Sequence, residues 1–263
     1  MEPFSLRGQV ALVTGASIGV GRGVAITLRQ SGAIVYATGR TIGHARLDPS
    51  IIRIPCDHTN DHAVRRLFDR IRVEQGQLHI LVNSAWGGYE RMVDEAGRFC
   101  WADSFWEQPI WRWRAMIDVG VRAAFVASQH AARLMIPVRH GLIANMSHWA
   151  AQKYQHNVIY GISKAATDKL TADTARELRP HDVTVVSLYP GLVRTERVVA
   201  AGVFDLSRAE SPEFVGRAVA ALAADARVSQ WSGQVVVAAA LARHYGFTDT
   251  DGRLPPVLTT ADV

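Results

Sequence analysis

The chain has 263 residues, of which 48% are apolar and 20% charged, a balance that suits a folded core and excludes disorder as a description of the whole. Its net charge of +5 comes from arginines spread along the sequence, with no basic run longer than Arg65-Arg66, so a small anionic ligand is expected and a nucleic-acid stripe is not. Cys56 and Cys100 lack CxxC or metal spacing, which predicts reduced thiols in a cytoplasmic protein with no metal, and no apolar run approaches the length of a membrane span.

From the N-terminus, QVALVTG (9–15) reads as a buried strand entering a glycine turn, followed by a helix over 21–31. Strands IVYAT (34–38) and IIRIPC (51–56) come next, then a helix over 60–75 and the strand HILVN (79–83). Residues 86–109, rich in glycine and aromatic side chains, are irregular and lead into a helix over 110–135. The strand LIANM (142–146), a helix over 157–179 and the strand VTVVSLY (183–189) follow. A second irregular segment, 190–210, opens with Pro-Gly. A helix over 211–225, the strand QVVVAA (234–239) and a short tail over 240–263 complete the chain. Short β-branched runs alternating with helical stretches predict an α/β architecture in one domain over 1–263. About seven parallel strands are joined by right-handed crossovers, with helices on both faces. Both irregular segments follow the carboxyl end of a strand, where open parallel sheets bind ligands.

The first turn, TGASIGVGRG, sets Gly15, Gly19 and Gly21 around Ser17 and Ile18. Such glycines let the backbone approach a pyrophosphate, and a helix beginning near Gly19 aims free N–H groups and its positive dipole end at that anion. A dinucleotide site is expected, because the string directly follows a strand and opens a helix. The end of the second strand, YATGR (36–40), has no acid to accept from a ribose 2′-hydroxyl. Arg40 stands there instead, and a guanidinium fork suits a 2′-phosphate, so NADP(H) is favoured over NAD(H). Arg22 is a second possible cation.

The chain has only three lysines, and one of them, Lys164, follows Tyr160 by one helical turn, on the same face. Taken together, TGxxxGxG, Asp57 in PCD, LVNSA (81–85), Ser147, Tyr160, Lys164 and PGLVRT (190–195) resemble the short-chain dehydrogenase/reductase family, from residue 8 to about 240. FWEQP (105–109), ARLM (132–135), YGISKAATDKLTAD (160–173) and LARHYGFTDTDG (241–252) are similar to its dehydrogenase/reductase member 1 subgroup.

The resemblance implies a Rossmann-type doubly wound sheet. It implies an oxidoreductase moving hydride between NADP(H) and a hydrophobic carbonyl or alcohol, in a homodimer or homotetramer. Tyr160 would be the general acid or base, Lys164 would lower its pKa, and Ser147 would hold the substrate oxygen. A free phenol titrates near 10, and bringing it near 7 takes about 4 kcal/mol. One ammonium about 4 Å away, at an effective dielectric of about 20, supplies on the order of 4 kcal/mol. Counting thirteen back from Tyr160 favours Ser147, whereas counting along the strand from Gly141 reaches His148, a possible second donor. Asp57 would accept from the adenine amine, and Asn83 would contact the adenine-side ribose or steady neighbouring strands. The Val193 backbone and Thr195 hydroxyl would fix the nicotinamide amide.

Three departures from the family pattern stand out. NSAW puts Trp86 at a tight turn, Gly120 replaces the asparagine of a proton relay, and no Asp-Gly-Gly follows the last strand. Gly120 and the open choice between Ser147 and His148 keep open an alternative, an NADP(H)-binding sensor with little or no catalysis. Five of the seven tryptophans lie between 86 and 113, with Tyr89, Phe99 and Phe105 among them. They form either a lid over a hydrophobic substrate or packing between this loop and the next helix.

Overall fold

β1 (Val10–Val13) is buried at every position, because the sheet it belongs to is covered on both faces. The computed structural model describes residues 4–263. A glycine turn leads from β1 into α1 (Gly19–Gln30), followed by β2 (Ile34–Gly39) and β3 (Ile52–Pro55). α2 (Asp61–Gln75) is capped at its start by the Asn60 side chain, which accepts from the Ala63 amide, and ends at Gly76, whose φ of 73° suits a residue without a Cβ. After β4 (Ile80–Asn83) and the aromatic loop, α3 (Trp111–Trp113) widens into π winding over Arg114–Arg122 and tightens again as α4 (Ala123–Met135). Next come β5 (Gly141–Met146), α5 (Val158–Leu178) and β6 (Val183–Tyr189). The last elements are α6 (Glu196–Ala201), α7 (Pro212–Ala224), β7 (Val235–Val237) and α8 (Ala238–Tyr245).

The strands form one seven-stranded sheet in the order β3-β2-β1-β4-β5-β6-β7, and every neighbouring pair is parallel. One face packs Val24, Leu28, Phe214 and Val219 from α1 and α7. The other packs Val64, Leu67, Phe68 and Ala127 from α2 and α4. α1 and α7 meet at very short range: a Cβ on Gly23 would lie 2.6 Å from the Pro212 carbonyl oxygen. The strand order reverses between β1 and β4, and that opens a crevice at the carboxyl edge of the sheet.

Three local features differ from the sequence expectation. The segment 190–210 holds the short helix α6. The expected helix 110–135 is not uniform, being π-wound over nine residues. The last strand stops at Val237, and α8 starts at once, burying Ala238, Ala239, Leu241 and Ala242 on one side. An apolar run of that length fits a strand or a helix equally well, and tertiary packing decides it.

Candidate active site

A cleft of about 380 Å³ runs along the carboxyl edge of the sheet, from the glycine turn at one end to Tyr160 and Lys164 at the other. Its first wall is backbone. Gly15 has a φ of 66°, and a Cβ there would lie 2.6 Å from Ala85 Cα; one on Gly21 would lie 2.5 Å from the Gly15 carbonyl oxygen. Ile18 adopts extended backbone at the start of α1, so the first helical amides face outward. One of them already holds an anion. The Gly19 N–H donates to Glu196 Oε2 at 2.8 Å, and Arg22 pairs with Glu196 Oε1 at 2.8 Å. That carboxylate stands in for a phosphate oxygen, so the turn suits a pyrophosphate.

Beside the turn, the Ser17 hydroxyl is buried and has no partner, and a Cβ on Gly39 would overlap it. Arg40 follows on the cleft wall, with Asp57 and His58 next to it. Asp57 Oδ1 accepts from the Thr59 amide at 2.9 Å and the Thr59 hydroxyl at 2.8 Å. The Thr59 hydrogen bonds, the amide's above all, hold that carboxyl below its ordinary range. His58 lies 2.8 Å from the Thr38 hydroxyl, and burial pushes it down to about 4, so it is neutral. An unpartnered hydroxyl, a glycine and an arginine side by side fit a ribose carrying a phosphate.

Asn83 lies off the cleft. Its Nδ2 donates to Asn145 Oδ1 at 2.8 Å and Ser128 Oγ at 3.0 Å, tying β4 to β5 and α4. Val193 and Thr195 line the cleft, with Thr195 over Gly19. Val193 pairs with Glu210 across a short parallel bridge, and the Thr195 hydroxyl accepts from the Val198 amide as the cap of α6.

At the far end α5 sets Tyr160 and Lys164 one turn apart, and the Asn157 side chain caps the helix by accepting from the Tyr160 amide at 2.9 Å. The Tyr160 ring is caged by Trp86, Tyr89, Trp101 and His148, with centroids 5.4–6.2 Å away. The hydroxyls of Tyr89 and Tyr160 share a hydrogen bond of 3.1 Å. Burial pushes the Tyr160 phenol well above its ordinary range, and Tyr89 adds to the rise. Lys164 Nζ donates to the Met146 carbonyl at 3.2 Å and lies 5.7 Å from the Tyr160 ring centroid. Burial pulls its ammonium down to about 8. Among the protein's own groups, desolvation therefore sets the direction for Tyr160.

The two candidates for holding a substrate oxygen both line the cleft and differ in their partners. The Ser147 hydroxyl is buried and donates to the Lys164 carbonyl at 3.3 Å. His148 Nδ1 accepts from the Ala150 amide at 3.3 Å, and its ring stands 5.5 Å from that of Tyr160. Burial, with Lys164 adding to it, pushes His148 down to about 3. The imidazole is neutral with its proton on Nε2.

Glu196 was not legible as a site residue, because it lies in a segment read as irregular and its partner, the Gly19 amide, is 177 residues away. Tyr89 gave no signal beyond being one aromatic side chain among several in its loop.

Residues 9–203 match the family model described as short chain dehydrogenase. The chain belongs to the short-chain dehydrogenase family. It is 40% identical to "Dehydrogenase/reductase SDR family member 1" of mouse and, equally, of human, over 94% of this chain and 85% of those proteins. A short-chain type dehydrogenase/reductase from Mycobacterium ulcerans superposes with a TM-score of 0.75 at 29% identity, covering 89% of each chain. Members of this short-chain dehydrogenase family are oxidoreductases that use nicotinamide cofactors. Among the described residues, no helix is long and apolar enough to cross a membrane, and no cluster of His, Cys, Asp and Glu suits a metal.

Proposed function

We propose that this short-chain dehydrogenase transfers hydride between NADP(H) and a hydrophobic carbonyl or alcohol, acting as one domain in the cytoplasm. The observation that carries the reading is the single cleft joining the glycine turn and Arg40 to the Tyr160 hydroxyl. The dinucleotide, when bound, supplies or accepts the hydride. Gly15, Gly19, Gly21, Ser17 and Ile18 would hold its pyrophosphate side, with Arg40 on the 2′-phosphate and Asp57 on the adenine. Val193 and Thr195 would hold the nicotinamide end. Asn83 serves by fixing β4 against β5 rather than by touching the ligand.

Tyr160 gives its phenolic proton to the carbonyl oxygen in reduction and takes it back in oxidation. A phenol pushed upward by burial is well protonated, which suits the acid role at neutral pH. Lys164, one turn on, stabilises the phenolate that this leaves behind. The His148 Nε2–H is free to donate to the substrate oxygen, while Ser147 locks the strand end to α5 through the Lys164 carbonyl. Trp86, Tyr89, Trp101 and Phe99 pack as one apolar cluster over Tyr160, which favours a hydrophobic substrate. Phe125 on α4 and Ile162 on α5 are 44% and 43% exposed, and a homodimer or homotetramer would cover them.

The test is a panel of hydrophobic aldehydes and ketones with NADPH or NADH, followed at the cofactor absorbance. Turnover that prefers NADPH is expected. Tight cofactor binding with no turnover across the panel would favour the second reading, a nucleotide sensor. That reading draws on the Tyr160 hydroxyl being buried and engaged by Tyr89.

A further inference from the structure

Two of the departures from the family pattern meet in space. A Cβ on Gly120 would lie 2.5 Å from Trp86 Cδ1, and one on Gly88 would lie 2.8 Å from the far edge of the same indole. Two glycines thus make the slot in which the ring sits. The Gly87 amide donates to the Ala115 carbonyl at 3.0 Å and so fastens the turn after β4 to the π-wound segment that carries Gly120. π winding is uncommon and concentrates at functional sites. Lys164 Nζ lies 4.8 Å from the centroid of the indole, whose face it meets.

We propose that Trp86 is the positioning residue for the Lys164 ammonium, its indole filling the space where the family pattern has an asparagine side chain. The inference rests on the hydride-transfer reading for its use in catalysis, but not for its geometry. An indole and a side chain at position 120 cannot coexist, so Gly120 and Trp86 are one device rather than two losses. The electron-rich face of an indole attracts an ammonium most strongly when both are out of water, by about tenfold in a proton equilibrium. Lys164 is 7% exposed, so the contact is of that kind. It works against the desolvation that draws the ammonium down. The other titratable groups facing Lys164 are Tyr160 and Asp168 on its own helix, His148 beyond β5, and Tyr89 through the Tyr160 hydroxyl. Tyr189 at the end of β6 acts through Asp168, to which it is hydrogen-bonded. None of these supplies a π face to the ammonium as close as that of Trp86.

Trp86→Leu keeps an apolar filling and removes the π face, whereas Trp86→Phe keeps a smaller one. Lys164 is titrated in the protein alone by competitive acetylation with acetic anhydride across pH, read by peptide mass spectrometry. The midpoint is expected to fall by about one pH unit in Trp86→Leu and by less than half of that in Trp86→Phe. Equal midpoints in the two variants overturn the proposal. The alkaline limb of kcat/KM with NADPH and a reactive aldehyde should move in the same order. If the wild type shows no turnover while acetylation behaves as expected, the hydride-transfer reading fails and the role of Trp86 stands. The shared slot has its own check, which holds even if one variant folds poorly. Gly120→Ala should lower the thermal midpoint in the wild-type background and leave it unchanged beside Trp86→Ala. Equal losses in both backgrounds overturn the pairing.

Discussion

The carboxylate of Glu196 caps the amide of Gly19 at 2.8 Å, across a sequence separation of 177 residues. Together with Arg22, it places an internal anion on the helix start that would otherwise meet a pyrophosphate. α6 therefore closes over the glycine turn, and on the proposed reading the Glu196 carboxylate moves aside when a dinucleotide enters.

Glu196→Gln should accordingly bind NADPH more tightly. The pair with Arg22 is part-exposed, with side chains 26% and 40% accessible, so screening keeps its worth small. A gain of about three- to tenfold in affinity is expected, measured by quenching of tryptophan fluorescence. Unchanged affinity would mean that the carboxylate swings aside at no cost.

On the proposed reading, Arg40 selects NADPH over NADH. Arg40→Ala should raise the KM for NADPH about 10- to 100-fold, the loss of a charge-assisted fork on phosphate, and leave that for NADH nearly unchanged. Steady-state kinetics with both cofactors give the ratio directly. Equal effects on both would place the guanidinium elsewhere than at a 2′-phosphate.

Much of this architecture was legible from local signals. β-branched runs, a glycine turn directly after the first strand and an i,i+4 Tyr–Lys pair are all written within a few residues. What was not legible depends on distant partners. The Tyr89–Tyr160 hydrogen bond spans 71 residues, and the Trp86 slot needs glycines at 88 and 120 to be read together. Ser147 and His148 illustrate a third limit. Both residues line the cleft, so a one-residue uncertainty in register exchanges a hydroxyl bonded to the Lys164 carbonyl for an imidazole beside the Tyr160 ring. Asn83 had two roles open, and its hydrogen bonds to Asn145 and Ser128 favour the one internal to the sheet.

Those two neighbours can be separated by experiment. Tyr160→Phe should abolish turnover and leave NADPH affinity within about threefold of wild type, because the proposed function puts the phenol in the chemical step. His148→Ala should lower kcat by about 10²-fold with little change in fold, as loss of one oxyanion donor does elsewhere. Ser147→Ala should instead act on stability, by about 1 kcal/mol for one buried hydrogen bond. Kinetics alongside thermal unfolding would expose the reverse pattern, which returns the substrate contact to Ser147.

The α1–α7 contact is a very close approach of two helix backbones. At Gly23 a Cβ would strike the Pro212 backbone, and at Gly216 it would lie 2.5 Å from the Thr27 hydroxyl. Neither backbone can give way, because both helices are pinned to the sheet by buried side chains such as Leu28 and Phe214. Gly23→Ala should destabilise the protein by about 2–3 kcal/mol through overpacking, despite the better helix propensity of alanine. Urea denaturation measures this, and a neutral or stabilising result would mean that the helices can separate.

Glu210 should make stability fall as pH rises. Its side chain is 2% exposed, Oε2 has no partner, and burial with nearby Asp249 pushes the carboxyl from 4.5 up to about 8. Between those values the folded state keeps a proton that the unfolded chain has released. The stability tied to Glu210 is thus complete below about 4.5 and gone above about 8. Glu210→Gln removes the titration and keeps the shape. The stability of that variant relative to wild type should therefore rise by about 4 kcal/mol between pH 5 and pH 8, at about 1.36 kcal/mol per pH unit. Urea denaturation of both proteins at pH 5, 6.5 and 8 reads the difference, in which the other titrating groups cancel. A constant difference would mean that Glu210 is already ionised in the fold, with a counter-charge such as Arg194 drawn toward it. The segment carrying Val193 and Thr195 would feel that change first, since the Arg194 amide donates to the Glu210 carbonyl at 2.9 Å.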